Sequence, residues 1–486
     1  MRRILYILTL TVYSCSFAFA QQDQDDIDQI FDDAEYFFST GEYQEAVFLF
    51  LKLTGMQPDN ANYNFRTGMT YLNIPGQETK AIPYLERAVM NISFDYKANA
   101  ITETKAPHHA WFYLGNAYRI NNDLDKALES YNRFKSIKDF EKNYNIRIVD
   151  SEIKVCERAK IIKDSPLNLV KTNLRKPINT SNSDYSPVLT PDENIMVFMS
   201  SQRFYEAIMF SRKIDGVWGT PVNINSQVRS DGDMIPTSLS ANGTELFLVK
   251  KDETNSDIYL SKFDGNLWSE AIPLNKNINS RSNETFASVS PDGKNLYFTS
   301  DRKGSFGGLD IFVSKKQSVG DWGLAENLGT AINTELNEET PYMAKDGKTL
   351  FFSSRGHFNM GGYDVFYAII NKYNQFDEAI NLGFPINTTS DNIGFLPVQD
   401  RKTGYMSLFD ENNEGKEDIF KLEILPFTAP KPVETPKFDR DFIIILDEAG
   451  NSGKIEITYD KKSDLFKVKS PDGKTYKITV NYLNKD

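Results

Sequence analysis

The sequence predicts a multidomain α + β chain: an α-helical repeat array, then a β-propeller of five blades with six as the alternative count, then a small all-β domain. Three observations predict it. The stretch 231–386 repeats: Asn242-Gly243, Asp292-Gly293 and Asp346-Gly347 each precede an apolar run, Leu246-Phe247-Leu248, Leu296-Tyr297-Phe298 and Leu350-Phe351-Phe352. Asp257-Ile258-Tyr259, Asp310-Ile311-Phe312 and Asp364-Val365-Phe366 follow, then Trp268, Trp322 and Phe376, then Ile278-Asn279, Ile332-Asn333 and Ile386-Asn387, the last two copies 54 residues apart at every step. Short alternating strands with turn signals at such a period are the signature of propeller blades. Upstream, 26–163 carries helical periodicity, and downstream a cluster of prolines separates off a last set of strand-like runs.

The chain begins with a targeting signal. Arg2-Arg3 form a basic start, Ile4 to Val12 a short apolar run, and Ala18-Phe19-Ala20 an A-x-A cleavage site. That run is too short to span a bilayer, and no other run approaches transmembrane length. Cleavage after Ala20 is expected. A lipoprotein signal ending at Cys15 is the alternative, although Tyr13 fits that pattern poorly. Either way the mature protein is exported. At 486 residues the chain needs more than one core, and its formal charge of −12 leaves no basic stripe for a nucleic acid. Cys156 alone remains after cleavage, inside a helical pattern, where a lone cysteine is ordinarily a small buried apolar residue.

In the array the clearest copy is Trp111-Phe112-Tyr113-Leu114-Gly115-Asn116-Ala117-Tyr118, followed by Ala127, Tyr131 and Phe134. This matches the tetratricopeptide pattern. Ala34, Phe37, Ala46, Phe50 and Pro58 make a first copy, and Gly68, Tyr71, Ala81, Leu85 and Ala88 a second. Small residues at Gly115 and Ala127 let paired helices approach. The stretch 91–108 interrupts the array, and 141–163 is expected to close it. Such arrays bind partner segments on their concave face. In the third copy that face carries Phe112, Asn116 and Arg119, as a partner groove or as packing against the next domain.

The propeller starts with a blade running from Tyr185 to Ile224-Asn225, and a fifth blade from Ile393 stops near Pro426 without its last strand. The missing piece is expected in 174–179, whose Pro177-Ile178-Asn179 repeats Pro385-Ile386-Asn387. A strand from before the first blade would then complete the fifth and remove the free sheet edge.

Blades reading Ser290-Pro291-Asp292-Gly293-Lys294, then Asp301-Arg302, then Gly307-Gly308-Leu309-Asp310, resemble the TolB-type, WD40-like repeats of bacterial envelope proteins. The order of signal, tetratricopeptide array and propeller is similar to a Bacteroidetes family. The resemblance covers about 26–426. It implies an outer-membrane-associated periplasmic protein whose relatives include type IX secretion and gliding components. Fuller members continue into a carboxypeptidase-regulatory-like β domain and an OmpA-like peptidoglycan-binding domain. Here 427–437 is a Pro-rich linker, 438–486 a small β domain, and the OmpA-like domain is missing, which puts direct peptidoglycan anchoring in doubt.

The chemistry expected is sparse. Three histidines, His108, His109 and His357, are badly spaced for zinc, and neither H-E-x-x-H nor G-x-S-x-G occurs. No cofactor is expected and the chain is read as a non-enzyme. Just before the innermost strand of each blade stands a polar residue: Asp184, Asp233, Glu284, Glu338 and Asn392. Propeller symmetry would gather them at one mouth of the channel, where a cation or a basic partner group could neutralise them. The competing role for each is to cap its own turn. A second set, Asp257, Asp310, Asp364 and Asp418, repeats with the blades and is read as structural. The expected function is an exported scaffold binding other envelope proteins. The alternative is a glycan-binding or glycosidase-type propeller, which would need acids in unequal environments.

Overall fold

The computed structural model describes residues 26–426, other than 99, 253–254, 319, 399–400 and 411–412, and four strands further on. The signal segment with Cys15 and the Pro-rich stretch 427–437 lie outside the described residues.

The array comprises α1 (26–40), α2 (Tyr43–Met56), α3 (Ala61–Leu72), α4 (Ile82–Ala88), α5 (Ala110–Ile120), α6 (Leu124–Lys135), α7 (Phe140–Asn143) and α8 (Ile146–Lys163). Start signals in the sequence fix several of these. The Asn60 side chain accepts from the Tyr63 N–H, Asn145 accepts from Arg147, and Pro83 occupies the first turn of α4. Close approach depends on two glycines. A Cβ at Gly68 would stand 2.5 Å from Leu85 Cγ, and one at Gly115 would stand 2.5 Å from the Tyr131 ring. The interrupting stretch returns along the array and closes on itself, Ile92–Ser93 pairing with Ala106–Pro107. On α8, Val149 and Cys156 are buried and Ile153 is packed against the same core.

Five antiparallel sheets make the propeller. Their innermost strands are Asp184–Leu189, Met234–Leu239, Glu284–Val289, Glu338–Met343 and Leu396–Pro397. Each sheet is buried on both faces, which is why its central strand reads as a continuous apolar run. Phe298 faces Phe312 across blade 3, and Phe352 faces Phe366 at the same place in blade 4. The Gly residues of the repeated turns, Gly243, Gly293 and Gly347, take φ of +68°, +71° and +64°. The first blade has Glu193 there instead, at φ +58°. Its carboxylate accepts from the Tyr405 hydroxyl at 2.5 Å and pairs with Lys421 at 2.9 Å, both on blade 5.

The ring closes by a borrowed strand, but not the one expected. Leu169–Asn173, not 174–179, pairs with Glu417–Ile424 of blade 5, Leu422 opposite Lys171. The physical reason is local. Pro177 has no N–H for a ladder, and the Asn179 amide is engaged elsewhere on blade 5, donating to the Ile419 carbonyl and accepting from its N–H.

Array and propeller form one compact unit. Arg158 of α8 donates to the His357 carbonyl at 3.1 Å and to Asn359 Oδ1 at 3.2 Å, and lies over the Phe358 ring. Arg119 of α5 donates to the Thr389 carbonyl, and Met360 of blade 4 is buried in the apolar core of the array. Beyond 426 the described strands form two antiparallel pairs, Phe442–Ile445 with Thr479–Tyr482 and Glu456–Asp460 with Leu465–Lys469.

Candidate functional site

The repeated Ile-Asn pairs explain how each blade is finished. The isoleucine is buried, and the asparagine amide clips the third strand at both ends of one residue. Asn333 Oδ1 accepts from the Ile311 N–H at 2.8 Å and its Nδ2 donates to the Ile311 carbonyl at 2.9 Å. Asn387 does the same to Val365, and Asn279 to Ile258. An amide is the one uncharged side chain that presents donor and acceptor together in the geometry of a peptide. The repeat was visible in sequence; this use of it was not.

The five polar residues at the starts of the innermost strands turn inward on their own turns. Asp184 accepts from the Thr180 N–H and hydroxyl, Glu284 from those of Ser280, Glu338 from those of Thr334, and Asn392 from those of Thr388. Glu284 and Glu338 each take a further hydroxyl, from Ser300 and Ser354, both at 2.7 Å. Arg302 pairs with Glu284 at 3.0 Å and Lys250 with Asp233 at 2.8 Å. Among the described residues no three acidic, histidine or cysteine side chains group so as to hold a metal ion. Burial raises the carboxyls of Asp184 and Glu338 above the usual range. Desolvation also opposes the Asp233 charge, but hydrogen bonds led by Lys250 hold it low.

The second acidic set is bound into the blades in the same spirit. Asp310, Asp364 and Asp418 each accept, through Oδ2, from an asparagine of the neighbouring outer strand: Asn327, Asn381 and Asn173. Burial pushes the Asp364 carboxyl up to about 7. Asp257 is raised for the same reason.

The array residues are drawn into packing. Phe112 lies against Tyr131 and Phe134, and Asn116 Oδ1 accepts from the Tyr131 hydroxyl at 2.8 Å. Arg119 is buried between Glu152, 3.0 Å away, and the propeller loop at Thr389. The Glu152 contact is an ion pair without the alignment of a hydrogen bond. Of the two readings for this face, packing against the propeller is what Arg119 does. His109 is pushed down to about 4 by burial, and the Cys156 thiol up to about 12, so neither is poised for acid–base or nucleophilic work near neutrality.

Among the described residues an aromatic side chain spans the channel. Tyr342 of blade 4 crosses it to donate to the Thr237 carbonyl of blade 2 at 2.9 Å, its ring edge-on to Phe286 of blade 3 at 5.2 Å. One cavity beside it, lined by Leu189, Leu239, Val289 and Pro397 among others, is about 40 Å³. Small-molecule pockets run roughly 300–1,000 Å³. A larger hollow of about 430 Å³ lies on the outer part of blade 3, lined by Val313, Lys315, Gly323 and Glu326 among others.

Fold and site together define a helical-repeat array clamped to a closed five-bladed propeller. Residues 108–139 match the tetratricopeptide repeat family. No curated protein matches the chain. Among solved structures, TolB from Acinetobacter baumannii is similar at 18% identity and a TM-score of 0.31, over 50% of this chain and 54% of that one. The chain thus spans about half the length of that TolB. The α-L-arabinofuranosidase PaAbf62A from Podospora anserina is similar at 10% identity and 0.33, over 53% and 94%. An α-L-arabinanase of Penicillium chrysogenum is similar at 12% and 0.35, over 52% and 98%. Likeness at this level does not extend to chemistry. No described helix is long and apolar enough to cross a membrane.

Proposed function

We propose that the protein is an exported, non-catalytic scaffold that joins other proteins of the cell envelope, in an outer-membrane-associated assembly of the secretion or gliding type. The observation that carries this reading is the clamp itself. Arg119, Arg158 and Met360 fix a partner-binding type of array to the propeller, so that both offer their remaining surfaces as one body. The acids that could have served catalysis are instead bonded to their own turns, and Tyr342 occupies the channel.

Crosslinking the full chain in its native envelope and identifying what it captures tests this. Envelope proteins are the expected catch; recovery of none overturns the scaffold reading. Turnover of any oligosaccharide by the purified chain, abolished by Glu284→Gln, would establish the glycosidase alternative in its place.

A further inference from the structure

Blades 3 and 4 carry the same long loop between their second and third strands, 300–310 and 354–364, residue for residue in register. In both, the final aspartate accepts through Oδ2 from the N–H four residues back, Phe306 in blade 3 and Met360 in blade 4, each at 2.8 Å. A glycine then presses on the next interblade turn: a Cβ on Gly307 would stand 2.4 Å from the Leu336 carbonyl oxygen, and one on Gly361 2.4 Å from that of Ser390. The following N–H groups, Leu309 and Tyr363, donate to the side chains of Asn337 and Asp391. Blade 5 keeps both contacts as well, Glu414 N–H on Asp418 Oδ2 and Gly415 against the Asn182 carbonyl, so the device recurs, with Phe306 and Glu414 standing where Met360 stands.

The blade 3 and blade 4 loops differ in what covers them. Met360 is 0% exposed, within the array core, with Arg158 over Phe358 beside it and Arg119 on the Thr389 carbonyl. Phe306 is 52% exposed, and Leu336 on the adjoining turn is 49% exposed. We propose that this blade 3 loop is a second docking point for a helix. Its occupant is an α-helix of another polypeptide that sets small apolar side chains on Phe306 and Leu336 and an arginine on the loop at the Lys303 carbonyl and Ser305, the places of His357 and Asn359. The occupant follows from blade 4, where α8 supplies Cys156 and Ala159 to the core that holds Met360, together with Arg158. The surface is continuous with that established interface, one blade away. A second copy of this chain is a poor candidate, because the matching face of its α8 is already used on its own blade 4. This inference rests on the scaffold reading and gives it a surface.

The test uses the full chain and, as probe, a fluorescent 18-residue peptide of the α8 sequence. Saturable binding is expected, weakened at least about tenfold by Phe306→Asp or Leu336→Asp, which corresponds to about 1.4 kcal/mol. Both side chains are half exposed, so an unchanged melting temperature shows that the variants fold. No binding, or binding that both variants retain, overturns the proposal; the latter places the peptide on blade 4. Crosslinking in the envelope distinguishes a failed docking point from a failed scaffold. If wild type and Phe306→Asp capture the same envelope proteins, the docking point fails and the scaffold stands. If wild type captures none, the scaffold reading itself has failed.

Discussion

Arg119→Ala should loosen the array from the propeller. In the wild type the guanidinium is 10% exposed, with Glu152 at 3.0 Å on one side and the Thr389 carbonyl on the other. Truncation removes a hydrogen bond from a charged donor, worth about 1.5–3 kcal/mol, and leaves a largely buried carboxylate without its cation. Glu152 keeps 27% exposure, so water repays part of the second cost, and the total should be about 3 kcal/mol. Hydrogen exchange read by mass spectrometry is the assay. Amides of α5 and α8 should exchange roughly 100-fold faster while the blades keep their protection. Glu152→Gln in the same chain removes the orphaned charge and should restore at least about 1 kcal/mol. Arg119→Lys should recover little, since one ammonium cannot span two acceptors in different directions. A loss below about 0.5 kcal/mol with unchanged exchange in α5 and α8 would refute the claim that this residue clamps the two parts.

Burial lifts Asp364 from an ordinary 3.8 to about 7, so the folded chain holds a proton that the unfolded chain releases between those values. Stability from this site therefore falls as pH rises from about 4 to 7 and is level above that. Asp364→Asn, which can still accept from Met360 and Asn381, should remove up to about 4 kcal/mol of that slope in denaturant titrations across the window. Tyr342→Phe should cost about 1 kcal/mol through the lost bond to Thr237, and Tyr342→Ala about 3–5 kcal/mol through the cavity left in the channel, both read as melting shifts. Gly115→Ala places a methyl against the Tyr131 ring and should cost about 1–3 kcal/mol, with the additional variant Tyr131→Leu relieving part of it.

The architecture was legible because repetition amplifies weak signals. One Asp-Gly before one apolar run says little, whereas three in register with Ile-Asn pairs behind them describe a blade. The closing strand was not legible for the opposite reason. Leu169–Asn173 occurs once, and its three middle residues are exposed, so it has no pattern of burial to announce it. Pro177-Ile178-Asn179, by contrast, carried the repeat and drew attention to a segment that clips blade 5 without extending its ladder. The acids at the innermost strands show the same limit. Register placed Glu284 and Glu338 correctly along the chain, but whether a carboxylate points at a channel or back at its own turn is decided by Ser280 and Thr334 four residues upstream. Repeat register offers Arg119 either a partner groove or the next domain and does not choose between them. The Arg119 partner Thr389 lies 270 residues away, a distance over which no spacing rule operates.

Closure by Leu169–Asn173 also sets how the molecule bears tension. Leu169 lies opposite Ile424, so the chain arriving from α8 and the chain leaving toward Pro426 part company at the same end of one ladder. A pull between the array and whatever follows residue 426 therefore loads that ladder as a zipper, one hydrogen bond at a time, rather than all of its bonds in shear. The Arg119 and Arg158 contacts stand in parallel with it. The ring is thus built with a latch that holds without load and opens in order under it, starting from the bond between the Leu425 N–H and the Asn168 carbonyl.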